Sequence, residues 1–184
     1  MIGRWQLERI ERVIRRGGII AYPTESVFGL GCDPDQLQAL EKIVRIKKRS
    51  PEKGLIILVS DIKQALPYIQ PLTQTQITQI NHAQSRATTW LIPRQPDVSI
   101  LLCGSHDRLA VRLTQHPIAR AICEFTNQAL VSTSCNLSNK PEMKTALEVR
   151  NKLGTLLDLV ITGSCGGQKP SQIIDLVSGR VLRD

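Results

Sequence analysis

Residues 47 to 53, Lys47-Lys48-Arg49-Ser50-Pro51-Glu52-Lys53, place four cations in seven positions. Two hydroxyl-bearing segments, Tyr22-Pro23-Thr24-Glu25-Ser26 and Ser132-Thr133-Ser134-Cys135-Asn136, sit at the ends of apolar runs elsewhere in the chain. An arginine forks onto a carboxylate or phosphate, while a lysine is a mobile point charge. Arg49 is thus a candidate clamp, with Lys47 and Lys53 as flanking charges. Ser134 and Asn136, two apart on an extended segment, would face one side and clasp a phosphate or a ribose edge; taken alone they read first as a strand-end turn. A charge run is also often no more than a solvated face. Three polar element ends together suggest one shared site of cations and hydroxyls, without an obvious covalent nucleophile. Such a site suits in-line transfer at phosphorus, where the protein positions reactants and neutralises charge.

Those segments need a scaffold that brings element ends together. Trp5, Ile10, Val13 and Ile14 recur at helical spacing until Gly17-Gly18, and Ile19 to Tyr22 reads as a buried strand ending at Pro23. A helix with Leu37, Leu40, Ile43, Val44 and Ile46 on one face runs into the basic cluster, and a strand over Leu55 to Val59 follows it. A short helix is expected near Asp61 and a surface helix over Thr73 to His82. Strands are expected over Thr89 to Ile92 and Leu109 to Leu113, joined by a loop with Pro93, Pro96 and Gly104. Pro117 suits a first helical turn, Ala129 to Thr133 a strand, and Thr145 with Glu148 a capping box on a helix ended by Gly154. The last strands are expected over Leu157 to Ile161, Ile173 to Val177 and Arg180 to Leu182, the final two joined by Ser178-Gly179. Interleaved helices and strands with a terminal hairpin imply an α/β fold with a mixed sheet. One domain is expected over residues 1 to 184.

Several chemistries are disfavoured. Gly29-Leu30-Gly31-Cys32-Asp33-Pro34 starts like a dinucleotide fingerprint but has Pro34 where the third glycine belongs, and no Walker A sequence occurs. His82, His106 and His116 lie far apart and read as loop or surface residues, and no metal-ligating set is expected. Ser50-Pro51-Glu52-Lys53 and Ser134-Cys135-Asn136 formally match SxxK and SxN, yet the KTG element of the penicillin-recognising hydrolases is missing. Five cysteines without a CxxC pair suggest neither a disulfide framework nor zinc. Lys and Arg number 24 against 16 Asp and Glu, a net charge of +8 that favours an anionic partner. Aromatics at 3% weaken a single-strand stacking platform. The charged N-terminus and the absence of a long apolar stretch make a cytoplasmic protein without a membrane partner the expectation.

Five motifs in order carry a resemblance. Tyr22-Pro23-Thr24-Glu25-Ser26-Val27-Phe28-Gly29-Leu30-Gly31-Cys32-Asp33 is followed by Lys47-x-Arg49, Lys53-Gly54-Leu55, Leu109-Ala110-Val111-Arg112 with His116-Pro117, and Ser132-Thr133-Ser134-Cys135-Asn136-Leu137-Ser138. Together they resemble the YrdC-type threonylcarbamoyl-AMP synthases, the TsaC proteins of bacteria, in their short form. The resemblance implies a twisted open α/β sheet with a concave basic face. It also implies synthesis of L-threonylcarbamoyladenylate and pyrophosphate from L-threonine, bicarbonate or CO2, and ATP with Mg2+. Transfer proteins acting downstream would carry the threonylcarbamoyl group to adenosine 37 of tRNA. By motif match Lys47, Arg49 and Thr24 are implied as catalytic, and Lys53, Thr89, Arg112, Ser134, Asn136 and Ser171 as substrate- or ATP-binding. A monomer is the expected state, and Glu25 is a candidate base or a cap.

The chain departs from the family pattern at Gln84-Ser85-Arg86-Ala87, at Cys135 inside the SxN motif, where a packing role is expected, and at Asn139-Lys140. Two other classes stay open: a double-stranded RNA-binding or ribosome-maturation module, since the charge suits RNA binding, and carbamoyl-adenylate handling in hydrogenase maturation. The second is disfavoured by the lack of zinc-finger cysteines.

Overall fold

The computed structural model describes residues 2–82, 86–137 and 140–184, so that Gln84, Ser85, Ser138 and Asn139 lie outside the described residues. The helices are α1 (Arg4–Arg15), α2 (Leu37–Lys47), α3 (Gln74–Asn81), α4 (Ile100–Cys103), α5 (Pro117–Thr126) and α6 (Ala146–Leu153). The strands are β1 (Ile20–Pro23), β2 (Phe28–Gly31), β3 (Ile56–Val59), β4 (Thr88–Pro93), β5 (Arg108–Leu113), β6 (Leu130–Ser134), β7 (Leu159–Val160), β8 (Gln172–Asp175) and β9 (Val181–Arg183). They form one open mixed sheet in the order β7-β1-β2-β6-β3-β5-β4-β8-β9. β1 and β7, β3 and β5, and β4 and β8 run parallel, and the other neighbours are antiparallel.

Strand alternation sends residues to two unequal faces. On one face Ala21, Leu30, Ile57, Val131, Val111 and Trp90 pack with Leu40 and Ile43 of α2 and with Val149 and Leu153 of α6, a core that spans the sheet from β1 to β4. On the other, Ile20, Tyr22, Leu58 and Leu130 pack under Ile10 and Ile14 of α1 and Ala119, Ile122 and Cys123 of α5. This second core stops at β3. Burying an isoleucine fully is worth roughly 1.5–3 kcal/mol, so Ile10 and Ile14 commit the apolar stripe of α1 to the body. The half of the second face made by β5, β4 and β8 has no residue in that core.

Most expected elements are present, with four differences. β2 has no strand signal in the sequence, because two of its four residues are glycines. Their role is steric: the Tyr22 ring crosses β2, and its hydroxyl donates to the Val131 carbonyl at 3.1 Å. A Cβ on Gly31 would stand 2.7 Å from the ring and 2.5 Å from that carbonyl. The loop after Pro93 contains the short helix α4, capped by Ser99. β7 is shorter than expected because Leu157 closes a 3-10 turn on Gly154. β8 ends at Asp175, whose side chain accepts the Val177 and Ser178 amides and turns the chain into β9. Thr73 and Gln76 form a capping box on α3, as do Thr145 and Glu148 on α6.

Candidate active site

The uncovered half of the sheet is the floor of a cavity of about 580 Å³, within the range of small-molecule sites. Its floor follows from the two-residue period: β5 offers Arg108, Ala110 and Arg112, β4 offers Thr89 and Leu91, β8 offers Ile173 and Asp175, and β6 offers Ser132 and Ser134. The walls come from the Thr24–Phe28 turn, the basic turn with Arg49 and Lys53, residues Leu102 and Cys103, and Arg183 of β9.

A left-handed residue at the end of α2 sets the basic turn. Lys48 has φ 47° and donates to the Arg45 carbonyl, while Arg49 N–H reaches the Val44 carbonyl. This is the Schellman arrangement, here with a lysine in a conformation that costs a non-glycine residue about 1 kcal/mol. Ser50 then caps a 3-10 turn over Pro51–Lys53. Gly54 and Gly104 let this turn lie flat on the α4 loop: both have positive φ, and a Cβ on Gly104 would sit 2.1 Å from the Glu52 carbonyl oxygen. Arg49 donates from Nη2 to the Lys53 carbonyl at 3.2 Å, but its buried Nε has no partner among the described residues. Burial holds the Arg49 guanidinium below its ordinary pKa. A buried donor without an acceptor is costly.

Across the floor, Arg112 forms a second cationic group. Its Nε donates to Thr89 Oγ1 at 3.1 Å and its Nη2 to Ser171 Oγ at 2.8 Å, and the two hydroxyls lie 2.9 Å apart. Arg183 closes the far side, donating to the Ser171 carbonyl at 3.0 Å from Nε and 2.7 Å from Nη2. Arg112 makes no ion pair with any described carboxylate. Burial lowers its pKa, and the charge of Glu25 partly restores it. By contrast, Arg108 is paired with Asp107 and Asp175.

Lys47 points elsewhere. Buried to 3% exposure, it donates from Nζ to the Ser134 carbonyl, to Ser134 Oγ and to Asn136 Oδ1. Ser134 Oγ also donates to Asn136 Oδ1 at 2.9 Å, and Asn136 Nδ2 donates to the Lys140 carbonyl at 2.7 Å. Burial, followed by the charge of Arg49, brings the Lys47 pKa down to about 8. Ser134 lines the cavity, whereas Lys47 and Asn136 do not. Lys47 therefore ties the end of α2 to the end of β6.

Thr24 is on the cavity wall, but its hydroxyl donates to the Val27 carbonyl at 2.7 Å and so shapes its own turn. Glu25 acts as a cap. Its Oε1 accepts from Thr114 Oγ1 at 2.7 Å, Gln115 N at 2.9 Å and His116 N at 3.1 Å, fastening the turn to the start of α5. Burial pushes its carboxyl upward, but these hydrogen bonds and Arg112 outweigh it and hold the pKa below the ordinary value. His116 is a loop residue as expected, but it is buried rather than on the surface, with Nε2 at 3.0 Å from the Ser164 carbonyl. Cys135 is fully buried in the first core.

The sequence reading thus identified seven wall or floor residues, Thr24, Arg49, Lys53, Thr89, Arg112, Ser134 and Ser171. It missed Arg108, Ser132 and Arg183. Alternation from Arg112 and from Ser134 signals the first two; Arg183 has no local signal. Among the described residues no group of three or more His, Cys, Asp or Glu is placed to hold a metal ion, and no helix is long and apolar enough to cross a membrane.

A family profile described as Sua5/YciO/YrdC, telomere recombination, matches residues 12–184. The chain belongs to the Sua5/YciO/YrdC family. Among its relatives is the threonylcarbamoyl-AMP synthase of Nitrosococcus oceani, 43% identical over 97% of both chains. That of Pseudomonas fluorescens is 39% identical over 100% of this chain and 99% of the relative. The fold superposes on P. abyssi Sua5 complexed with L-threonine at a TM-score of 0.89 and 25% identity, covering 98% of this chain and 54% of that longer one. The Sua5/YciO/YrdC assignment and the nine-stranded sheet of the described residues agree with the α/β fold expected from sequence.

Proposed function

We propose that the protein is an L-threonylcarbamoyladenylate synthase that uses L-threonine, CO2 or bicarbonate, and ATP, and that its product supplies the threonylcarbamoyl modification of tRNA adenosine 37. The observation that carries this is one cavity with two separate cationic groups: Arg112 among the Thr89 and Ser171 hydroxyls, and Arg49 with an unpartnered buried Nε. One site suits the carboxylate of an amino acid, and the other suits a phosphate chain. The apolar residues of the same cavity, Ile56, Leu91, Ala110 and Ile173, offer a surface for a base or a short aliphatic side chain. The names of the relatives fit this division.

The chemistry follows from holding the reactants close. The threonine nitrogen forms a bond to the carbon of CO2 and releases a proton to water, giving an N-carboxylate. An oxygen of that carboxylate attacks the α-phosphorus of ATP, and the bond to the β-phosphate oxygen breaks as pyrophosphate leaves. The threonine carboxylate, the N-carboxylate and the triphosphate are all anionic, so their mutual repulsion is the obstacle that Arg112, Arg49 and Lys53 offset. Lys47 keeps Ser134 in position, with Asn136 as its second anchor. Mg2+ would enter on the triphosphate and neutralise part of its charge. Glu142, which lines the cavity and makes no ion pair among the described residues, is the carboxylate suited to stand beside it. Turnover would occur in the cytoplasm, with transfer proteins taking the product.

The test is pyrophosphate release by the purified protein. Release that requires ATP, L-threonine and bicarbonate together is the expected result. Arg49→Ala should lower kcat/KM by roughly a hundredfold to a thousandfold, the cost of one such charge contact, without change in the circular dichroism spectrum. ATP consumption at the parent rate by that variant would sink the assignment.

A further inference from the structure

The segment from Ile161 to Ser171 has no helix or strand of its own and joins β7 to β8, which six strands separate in the sheet. Its last residue, Ser171, is one of the two hydroxyls that hold Arg112, at 2.8 Å. Two backbone bonds lay this strap on the turn after β1: Gly166 N–H donates to the Thr24 carbonyl at 3.0 Å and Gln168 N–H to the Glu25 carbonyl at 2.9 Å. The approach is close, since a Cβ on Gly166 would stand 2.6 Å from the Glu25 carbonyl oxygen and one on Gly163 would stand 2.4 Å from Ile118 Cδ1. Between Gly163 and Lys169 one described side chain bonds to the strap: His116, whose Nε2 lies 3.0 Å from the Ser164 carbonyl. A carbonyl only accepts, so Nε2 carries the hydrogen. Nδ1 is buried without a partner among the described residues. An apolar side chain would fill the same space without leaving a polar atom dry, so the bond from Nε2 is what the ring contributes there. The ring is itself held in place, because His116 N–H donates to Glu25 Oε1 at 3.1 Å and Pro117 opens α5 directly after it. Turn, helix start and strap are thus tied pairwise in a closed ring.

We propose that His116 is a positioning residue for the amino-acid end of the cavity: it latches the strap at Ser164 so that Ser171 stands against Arg112. His116 does not line the cavity, so it acts through the strap and touches no reactant. The inference rests on the reading of Arg112, Thr89 and Ser171 as the carboxylate site. Arg49 and Lys53 stand on the basic turn after α2, which no described hydrogen bond joins to the strap. Loosening the latch therefore disturbs the amino-acid end and spares the phosphate end.

The experiment measures L-threonine binding to the full chain by calorimetry, and the KM for threonine and for ATP in pyrophosphate release. His116→Leu should weaken threonine binding and raise the KM for threonine by about tenfold to a hundredfold, up to the scale of a 1 Å misplacement. The KM for ATP and kcat should stay within about twofold of the parent. His116→Gln, which keeps an N–H donor at similar reach, should recover most of the loss. Gly166→Ala lifts the strap from the Glu25 carbonyl and should give the same split between substrates; it decides the matter if His116→Leu does not fold. Ile122→Val trims the core under the same helix and should lower Tm while leaving both KM values alone. Threonine binding by His116→Leu and Gly166→Ala equal to the parent's would overturn the proposal. A parallel rise in the KM for ATP, or a glutamine variant no better than the leucine one, would overturn it too. A parent that binds threonine but releases no pyrophosphate would refute the synthase reading, and calorimetry would still report on the latch; variants that bind threonine like an active parent would refute the latch alone.

Discussion

Replacing Arg112 by methionine should separate stability from binding. In the free protein the guanidinium is partly buried, held by two hydroxyls at 3.1 and 2.8 Å, and faces no described carboxylate at ion-pair distance. Burial disfavours its charge and Glu25 restores it only in part, so the folded chain carries a desolvation cost that a bound anion would offset. Methionine has similar length and no charge, and Thr89 and Ser171 still satisfy each other across 2.9 Å. Without substrate, Arg112→Met should therefore be neutral or more stable by about 1 kcal/mol, a rise in Tm of roughly 2–4 °C for a chain of this size. Threonine binding should move the other way. Hydrogen bonds to a charged group contribute about 1.5–3 kcal/mol each, so losing a two-pronged contact costs about 3–6 kcal/mol, a hundredfold or more in affinity. Thermal melts without ligand and calorimetric titration with L-threonine measure the two effects. A variant destabilised by more than about 3 kcal/mol that still binds threonine like the parent would refute the reasoning.

Three further outcomes are expected. Gly104→Ala forces a Cβ to 2.1 Å from the Glu52 carbonyl at φ +66°; it should destabilise the fold by at least about 2 kcal/mol in urea melts and raise the KM for ATP as the basic turn shifts. Glu25→Gln should weaken the fold, because a charged acceptor of three hydrogen bonds is lost, while turnover at saturating substrate remains. The folded Glu25 carboxyl titrates below its ordinary 4.5, so its contribution is present above that pH and fades as acid protonates it; the stability gap between parent and variant should close on acidification, and abolished turnover in a stable variant would restore Glu25 as a base. For Lys47 the folded pKa near 8 lies below the ordinary 10.5, so the unfolded chain holds more protons between those values and this group's contribution to stability rises with pH across that window. Activity should nevertheless fall through pH 8 to 9 as the ammonium anchoring Ser134 and Asn136 loses its proton, and a flat activity profile there would refute the anchoring role.

The legible parts of the fold were those with local causes. Apolar spacing, Pro117 and the Thr145–Glu148 capping box determine their elements through contacts within a few residues. β2 was illegible because its glycines satisfy a distant demand, room for the Tyr22 ring on its way to Val131. Arg183 was illegible for the same kind of reason: its partner is Ser171 on the far side of a hairpin, and no sequence period links an edge-strand arginine to a cavity.

The basic run shows what a linear reading misses even where it finds residues that line the cavity. In sequence it is one receptor, since four like charges fall within seven positions. A helix turns by about 100° per residue, and α2 ends inside the run, so neighbours separate in direction. Lys47, the last helical residue, points inward and becomes a brace for β6. Lys48 takes the left-handed turn and is exposed. Only after that reversal do Arg49 and Lys53 meet the cavity. The left-handed lysine is thus the element that turns the chain from a helix end into the cavity wall. Restoring an easier conformation with Lys48→Gly should stabilise the turn and leave the two cavity cations where they are.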